Sequence, residues 1–267
     1  MSYWKKSGTI KNDKMSNYQP VALDGRGGMR VWSNGKAGAN GGSNGDWYTQ
    51  SGPRWGKMGA PSVAMTRAQM GGFVRTSAVC RTADGTYHAM LMLGDDYWNN
   101  TTGFEPYYTT SSNGTSWERP RRLNLPSDVG FGSSMALVVE DGAGARRFKM
   151  WHDGVAGKRL AFFYSADATS WSFASQDAWP FTSDAPVFAS AARSPEGIHL
   201  LASPRWQVNS LRHIFSSDDG NSWSTVHQTV EAGSGDYKGM NIVYDPQDRR
   251  LHGLVNGREH YTRASAP

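Results

Sequence analysis

Three stretches of this chain repeat one short pattern at a nearly constant interval, and no other feature constrains the fold as strongly. Ser111-Ser112-Asn113-Gly114-Thr115-Ser116-Trp117, Ser165-Ala166-Asp167-Ala168-Thr169-Ser170-Trp171 and Ser217-Asp218-Asp219-Gly220-Asn221-Ser222-Trp223 align without gaps as Ser-x-Asp/Asn-Gly/Ala-x-Ser-Trp. Their tryptophans, at 117, 171 and 223, fall 54 and 52 residues apart. A period of this size marks an architecture of repeated supersecondary units. A second periodic signal lies between the motifs, where short β-type runs flank an acidic or glycine-bearing turn. Asp and Gly tolerate the positive φ of tight hairpin turns, so each such pair of runs predicts a hairpin. Five turns, at Asp24, Asp84, Asp141, Glu196 and Gln247, succeed one another at steps of 60, 57, 55 and 51 residues.

Each unit therefore reads as strand, turn, strand, loop, strand, Ser-to-Trp motif, strand. Four strands per repeat is the blade of a propeller. The expectation is an all-β, five-bladed β-propeller of four-stranded antiparallel blades, spanning 1–267 as one domain. The last repeat ends soon after Tyr261-Thr262-Arg263 and lacks an outer strand. The N-terminal Ser7-Gly8-Thr9-Ile10 is expected to supply it and close the ring, leaving no open edge. Composition agrees: 31 glycines, 11 tryptophans and only 19% charged residues favour turns and strands over helices. Cys80 is the only cysteine, so no intrachain disulfide can form. No apolar run reaches the ~18 residues of a membrane span. The start, Met1 to Lys6, leads into polar residues, which predicts no secretory signal and synthesis in the cytoplasm. A net charge of +5 fits a solvated surface, and without a long basic run or a zinc or RNA-binding signature it argues against nucleic acid.

The Ser-to-Trp motif resembles the Asp box of sialidase-type propellers. The five-repeat count is similar to the five-bladed glycosidases of the invertase and arabinanase type. The resemblance implies that the boxes stand on the rim away from the ligand face, which makes Trp117, Trp171, Trp223, Asp167 and Asp219 scaffold residues. It also implies that ligands meet the opposite face, built by the loops between second and third strands and between successive blades. Trp98, Trp151, Trp206, Arg75, Arg205, Arg258 and His152 are the sugar-binding candidates there: aromatic faces suit apolar C–H patches, and the polar groups suit hydroxyls.

Glycoside hydrolysis needs two carboxyl groups ~5–10 Å apart. The resemblance places such acids at the heads of the inner strands, yet these positions hold Arg75, Thr76, Ser77, Ser133, Ser134, Ala189, Ser190, Lys238 and Asn241. The nearest carboxylates, Asp184, Asp236, Asp153 and Glu259, lie in neighbouring loops and are the catalytic candidates. Gly41-Gly42-Ser43-Asn44-Gly45 matches a nucleophile elbow only in spacing, inside a glycine-rich loop with no helix after it. The seven histidines show no zinc spacing, and neither a metal nor a cofactor is expected. The expectation for function is a non-catalytic propeller that recognises carbohydrate, such as a cell-surface glycan, or that serves with other subunits as a bacteriophage virion component. A glycoside hydrolase acting on a surface polysaccharide and an assembly module without ligand are the alternatives.

Overall fold

A computed structural model describes residues 4–10, 20–34, 45–95, 103–126, 135–153, 159–181, 186–203, 211–226, 240–255 and 259–264. Among these residues, twenty strands form five separate four-stranded antiparallel sheets. After β1 (Lys5–Thr9), blade 1 is β2 (Val21–Leu23), β3 (Gly28–Asn34), β4 (Trp47–Pro53) and β5 (Ser62–Met65). One helical turn, α1 (Arg67–Met70), leads to blade 2: β6 (Phe73–Arg81), β7 (Tyr87–Gly94), β8 (Glu105–Ser111) and β9 (Arg121–Arg122). Blade 3 is β10 (Met135–Val139), β11 (Phe148–His152), β12 (Ala161–Ser165) and β13 (Trp171–Asp177). Blade 4 is β14 (Val187–Ser194), β15 (Gly197–Ser203), β16 (Arg212–Ser216) and β17 (Ser224–Val226). Blade 5 combines β18 (Met240–Asp245), β19 (Arg250–Val255) and β20 (Glu259–Ala264) with β1, which pairs with β20 through Lys5–Thr262 and Thr9–Glu259. The five-bladed propeller and its closure by the N-terminal strand are as the repeat requires.

The turns form where acceptor side chains replace lost ladder bonds. Asp24 Oδ1 accepts from the amides of Arg26 and Gly28, and Asp84 Oδ1 accepts from the amide of Thr86 and the hydroxyl of Thr82. In the Ser-to-Trp motif, Asn113 Oδ1 takes the amides of Thr115 and Ser116, and Asp167 Oδ1 those of Thr169 and Ser170. In blade 4 the same work is done by Asp218, which accepts from the amide of Ser222 while the Ser216 hydroxyl donates to it. The gapless alignment on Ser217 and Asp219 is thus one residue out of register. Blade 4 carries one more residue between its serine and its tryptophan, and Asp219 and Gly220 both take positive φ there.

The core is divided among the five seams between blades, with one apolar cluster at each. The corner tryptophans belong to these seams. Trp117 packs against Trp32 and Trp47, Trp171 is buried in the cluster between blades 2 and 3, and Trp223 meets Trp151 edge-on at 5.7 Å. Burying indoles between sheets supplies much of the apolar area that holds blades together.

Each seam also contains one polar residue from the second strand of a blade: Arg30, His88, Lys149, His199 and His252. Each sits two positions before a large apolar residue, namely Trp32, Met90, Trp151, Leu201 or Leu254. His88, Lys149, His199 and His252 are buried. A buried polar group must be hydrogen-bonded, and each is satisfied locally. His88 Nδ1 meets the Tyr108 hydroxyl at 2.7 Å and its Nε2 meets Thr82 Oγ1. Lys149 Nζ lies between Glu140 and Asp219 at 2.9 and 3.0 Å. His199 joins Ser194 to His213, and His252 joins Asp248 to His260.

Candidate active site at the channel mouth

The inner strands β2, β6, β10, β14 and β18 surround a central channel with two unlike ends. At the head end stand the residues at the ends of the second strands and the starts of the third, such as Asn34, Asp46, His152 and Asp153. The channel narrows on that side to room for about one water, between Pro20, Ala78, Met135, Ser190 and Asn241. Among the described residues no carboxylate lines this constriction. The acids of the head end stand outside it, at strand ends. Asp153 follows β11 directly and is half-buried beside His152, which is fully buried. Burial pushes the His152 imidazole below its ordinary value, against the pull of the Asp153 charge.

Asp46 is a second head-end carboxylate. It precedes β4, and its Oδ1 accepts the amide of Arg67 at the start of α1 at 2.8 Å. Arg67 in turn donates to the Asp95 carbonyl and covers the Phe73 ring at 3.9 Å. The turn is fixed by a reciprocal cap, in which the Thr66 hydroxyl accepts from the Gln69 amide and Gln69 Oε1 accepts from the Thr66 amide. Sequence reasoning missed Asp46. The available signal was the Thr66–Gln69 box, which fixes a helix start against the acid that precedes β4.

The residues expected to form the site divide into three groups. Arg75 stands on β6 at a register shift between Val74 and Thr76, half-buried, and its carbonyl accepts from Asn34 Nδ2. His152 and Asp153 are placed as above. Trp151 is a correction: it is fully buried in the seam between blades 3 and 4, stacked on Phe162, and presents no face to a sugar. The reason is that β11 runs on through His152, paired with Met135, where a loop was expected. Asp184, Asp236, Trp98, Trp206, Arg205 and Arg258 lie outside the described residues, as does the side chain of Glu259, whose backbone opens β20.

The other end of the channel widens into a cavity of about 400 Å³ walled by Leu23, Val79, Leu137, Val139, Val243 and Tyr244. The charges at its rim are engaged with one another. Arg54 holds Asp245 at 2.7 Å, Arg193 lies 3.6 Å from both Glu140 and Asp219, and Asp141 accepts the Ala83 amide. Cys80 faces this cavity, and burial pushes its thiol up to about 12. Close by, Asp245, Asp248 and His252 present ligand atoms within 4.8 Å of one another. Arg54 already donates to Asp245 and Gln247, and His252 Nε2 points its hydrogen at Asp248. A cation would have to displace a guanidinium, so the group is satisfied as an ion-pair cluster.

No family model matches this chain, and no curated protein sequence matches it. Solved structures do. The catalytic domain of the Coprinopsis cinerea GH62 α-L-arabinofuranosidase superposes with a TM-score of 0.65 at 12% identity, over 98% of this chain and 97% of that one. The Podospora anserina α-L-arabinofuranosidase PaAbf62A gives 0.63 at 12%, over 100% and 98%. The xylan β-1,4-xylosidase of Bacillus halodurans gives 0.64 at 12%, over 97% of this chain and 55% of that one. The chain spans about half the length of the Bacillus enzyme. These likenesses establish the fold, the five-bladed propeller of glycoside hydrolases. They also correct the expectation of a non-catalytic glycan-binding or virion propeller: these similar structures are glycoside hydrolases, and none of them supports a virion or structural role.

Proposed function

We propose that the chain is a glycoside hydrolase that uses carboxyl groups at the head end of the channel to cleave a pentose-containing polysaccharide. The observation that carries this reading is the likeness, over 97–100% of the chain, to one xylosidase and two arabinofuranosidases. Hydrolysis of a glycosidic bond requires an acid to protonate the leaving oxygen and a second carboxylate to act as nucleophile or to activate water. Asp46 and Asp153 are on the head face, and Asp184, Asp236 and Glu259 are the further carboxyl candidates that the sequence supplies. Asp153 is half-buried at the end of β11, beside the fully buried His152. The sugar contacts proposed are Arg75, Trp98, Arg205, Trp206 and Arg258.

The test is incubation of the purified chain with arabinoxylan, xylan, and nitrophenyl arabinofuranoside and xyloside, scoring released sugar. The same assay is run on Asp46→Asn, Asp153→Asn, Asp184→Asn, Asp236→Asn and Glu259→Gln. The expected result is release of pentose, lost by roughly 10²–10⁴-fold in two of the variants. Binding without release, or release unaffected in all five variants, would overturn the reading.

A further inference from the structure

The buried polar residues of the seams differ in one respect that bears on how the ring is held shut. Arg263 can only donate, and its Nη1 lies 3.3 Å from His213 Nδ1 and 3.4 Å from Nε2; with Nε2 engaged by His199, we assign the accepting lone pair to Nδ1. The His213 proton then sits on Nε2 and goes to His199 Nδ1 at 3.1 Å. His199 carries its own proton on Nε2 and gives it to Ser194 Oγ at 2.9 Å. Every acceptor of both rings is used. An added proton on His213 meets the guanidinium, and one on His199 meets the N–H of His213.

The other histidine seams bring a carboxylate towards the ring, although burial still holds His88 and His260 at about 4. His252 Nε2 donates to Asp248, and His88 reaches Asp84 through the Thr82 hydroxyl. Among the described residues, the charged groups around the His199–His213 pair are Arg263 from β20 and Glu196, which acts on Arg263. Phe215 of β16 and Trp4, which touches His213 edge-on at 6.1 Å, bring no charge. Arg193, on β14, faces blade 3 through Glu140 and Asp219. Burial and Arg263 hold the pair neutral, with His199 pushed down to about 3.

The seam in question joins blade 4 to the blade that closes the ring. Its cluster is Ala192, Leu201 and Leu211 against Trp4, Ile242, Leu251, Val255 and Tyr261, and besides the Arg263–His213 contact the Ile242 amide donates across it to Ser190 Oγ. We propose that the His199–His213–Arg263 contact is an acid-triggered release, which parts blade 5 from blade 4 on protonation before the other seams open.

The experiment is hydrogen exchange with mass spectrometry on the full chain from pH 7.5 to 4.5, corrected for the intrinsic pH dependence of exchange. Below about pH 6, peptides from β15, β16 and β18–β20 are expected to lose protection first and most steeply, those from β3, β7 and β11 later and less steeply. Two protons taken up on opening make the opening constant rise by up to about 100-fold per pH unit. His213→Gln, which removes one of them, is expected to reduce this to about 10-fold. Arg263→Gln gives an independent reading, because removing the facing cation moves the onset to lower pH. Simultaneous loss in all blades, full protection down to pH 4.5, or both variants behaving as the parent would overturn the proposal.

Discussion

Trp55 lies flat on His252, with ring centroids 4.3 Å apart and planes 6° from parallel, and it covers His260 in the same way. The two imidazoles are coplanar and linked by a 2.9 Å hydrogen bond, so one indole roofs both. Trp55 stands in the turn of blade 1 that corresponds to the Ser-to-Trp motif elsewhere, with a positive φ of 55°. It fastens blade 1 to blade 5, where the other corner tryptophans fasten neighbours within the ring.

Removing this roof opens the seam to water. Trp55→Ala is expected to cost about 2–4 kcal/mol, measured as a lowered urea midpoint, whereas Trp55→Phe keeps most of the stacking. A Trp55→Ala midpoint equal to the parent's would show that the indole contributes nothing to closure.

Stability should fall in acid. Burial holds His88 at about 4, with Arg147 adding to the effect, and holds His260 at about 4. An unfolded histidine titrates near 6.5, so between these values the unfolded chain binds more protons than the folded one. The stability these groups contribute is complete above about pH 6.5 and is lost as pH falls towards 4, on the order of 3 kcal/mol for His88. Urea midpoints at pH 7.5 and 5 measure it, and His88→Phe should flatten the profile.

Gly114 takes a φ of 70°, and a Cβ there would meet Arg30 Cδ at 2.7 Å and Trp32 Cζ2 at 3.2 Å. Gly142 has a φ of 80° with open space around it. Gly142→Ala is expected to cost only the ~1–2 kcal/mol of left-handed backbone, and Gly114→Ala a further ~1–3 kcal/mol of crowding. Equal melting shifts for the two variants would contradict the tight approach of Trp32, whose indole N–H donates to the Gly114 carbonyl.

Cys80 should be inert. With its thiol pushed up to about 12, essentially none is thiolate at pH 8. Labelling with a thiol reagent is expected to be slow in the folded protein and complete within the dead time in urea. Rapid labelling without denaturant would mean that the cavity end of the channel opens readily.

The ring was legible because its signals are local. A hairpin turn, a box and a tryptophan each lie within a few residues, and their spacing counts blades directly. The blade-4 box was misread because Ser217 and Asp219 satisfy the spacing, whereas the side chains that bond the turn are Ser216 and Asp218. The histidines looked scattered for a different reason. Their partners, Tyr108, His213 and His260, come from the next strand, and only the rule of one polar residue two places before a large apolar one links Arg30, His88, Lys149, His199 and His252. Trp151 was placed in a loop because Trp-His-Asp-Gly reads as a turn, while pairing with β10 extends the strand by two residues. Asp46 was missed because its partner, the Arg67 amide, lies 21 residues further along the chain.

Blades 1 to 4 are each made of contiguous chain, whereas blade 5 unites β1 with β20, partners such as Ser7 and Thr262 lying 255 residues apart. Four sheets can therefore nucleate from neighbouring hairpins as they are synthesised, but the fifth must wait for a contact of nearly maximal sequence separation, which is slow to find. Until it forms, the seam surfaces around Trp4 and Trp55 stay wet, and the nascent molecule is an open arc.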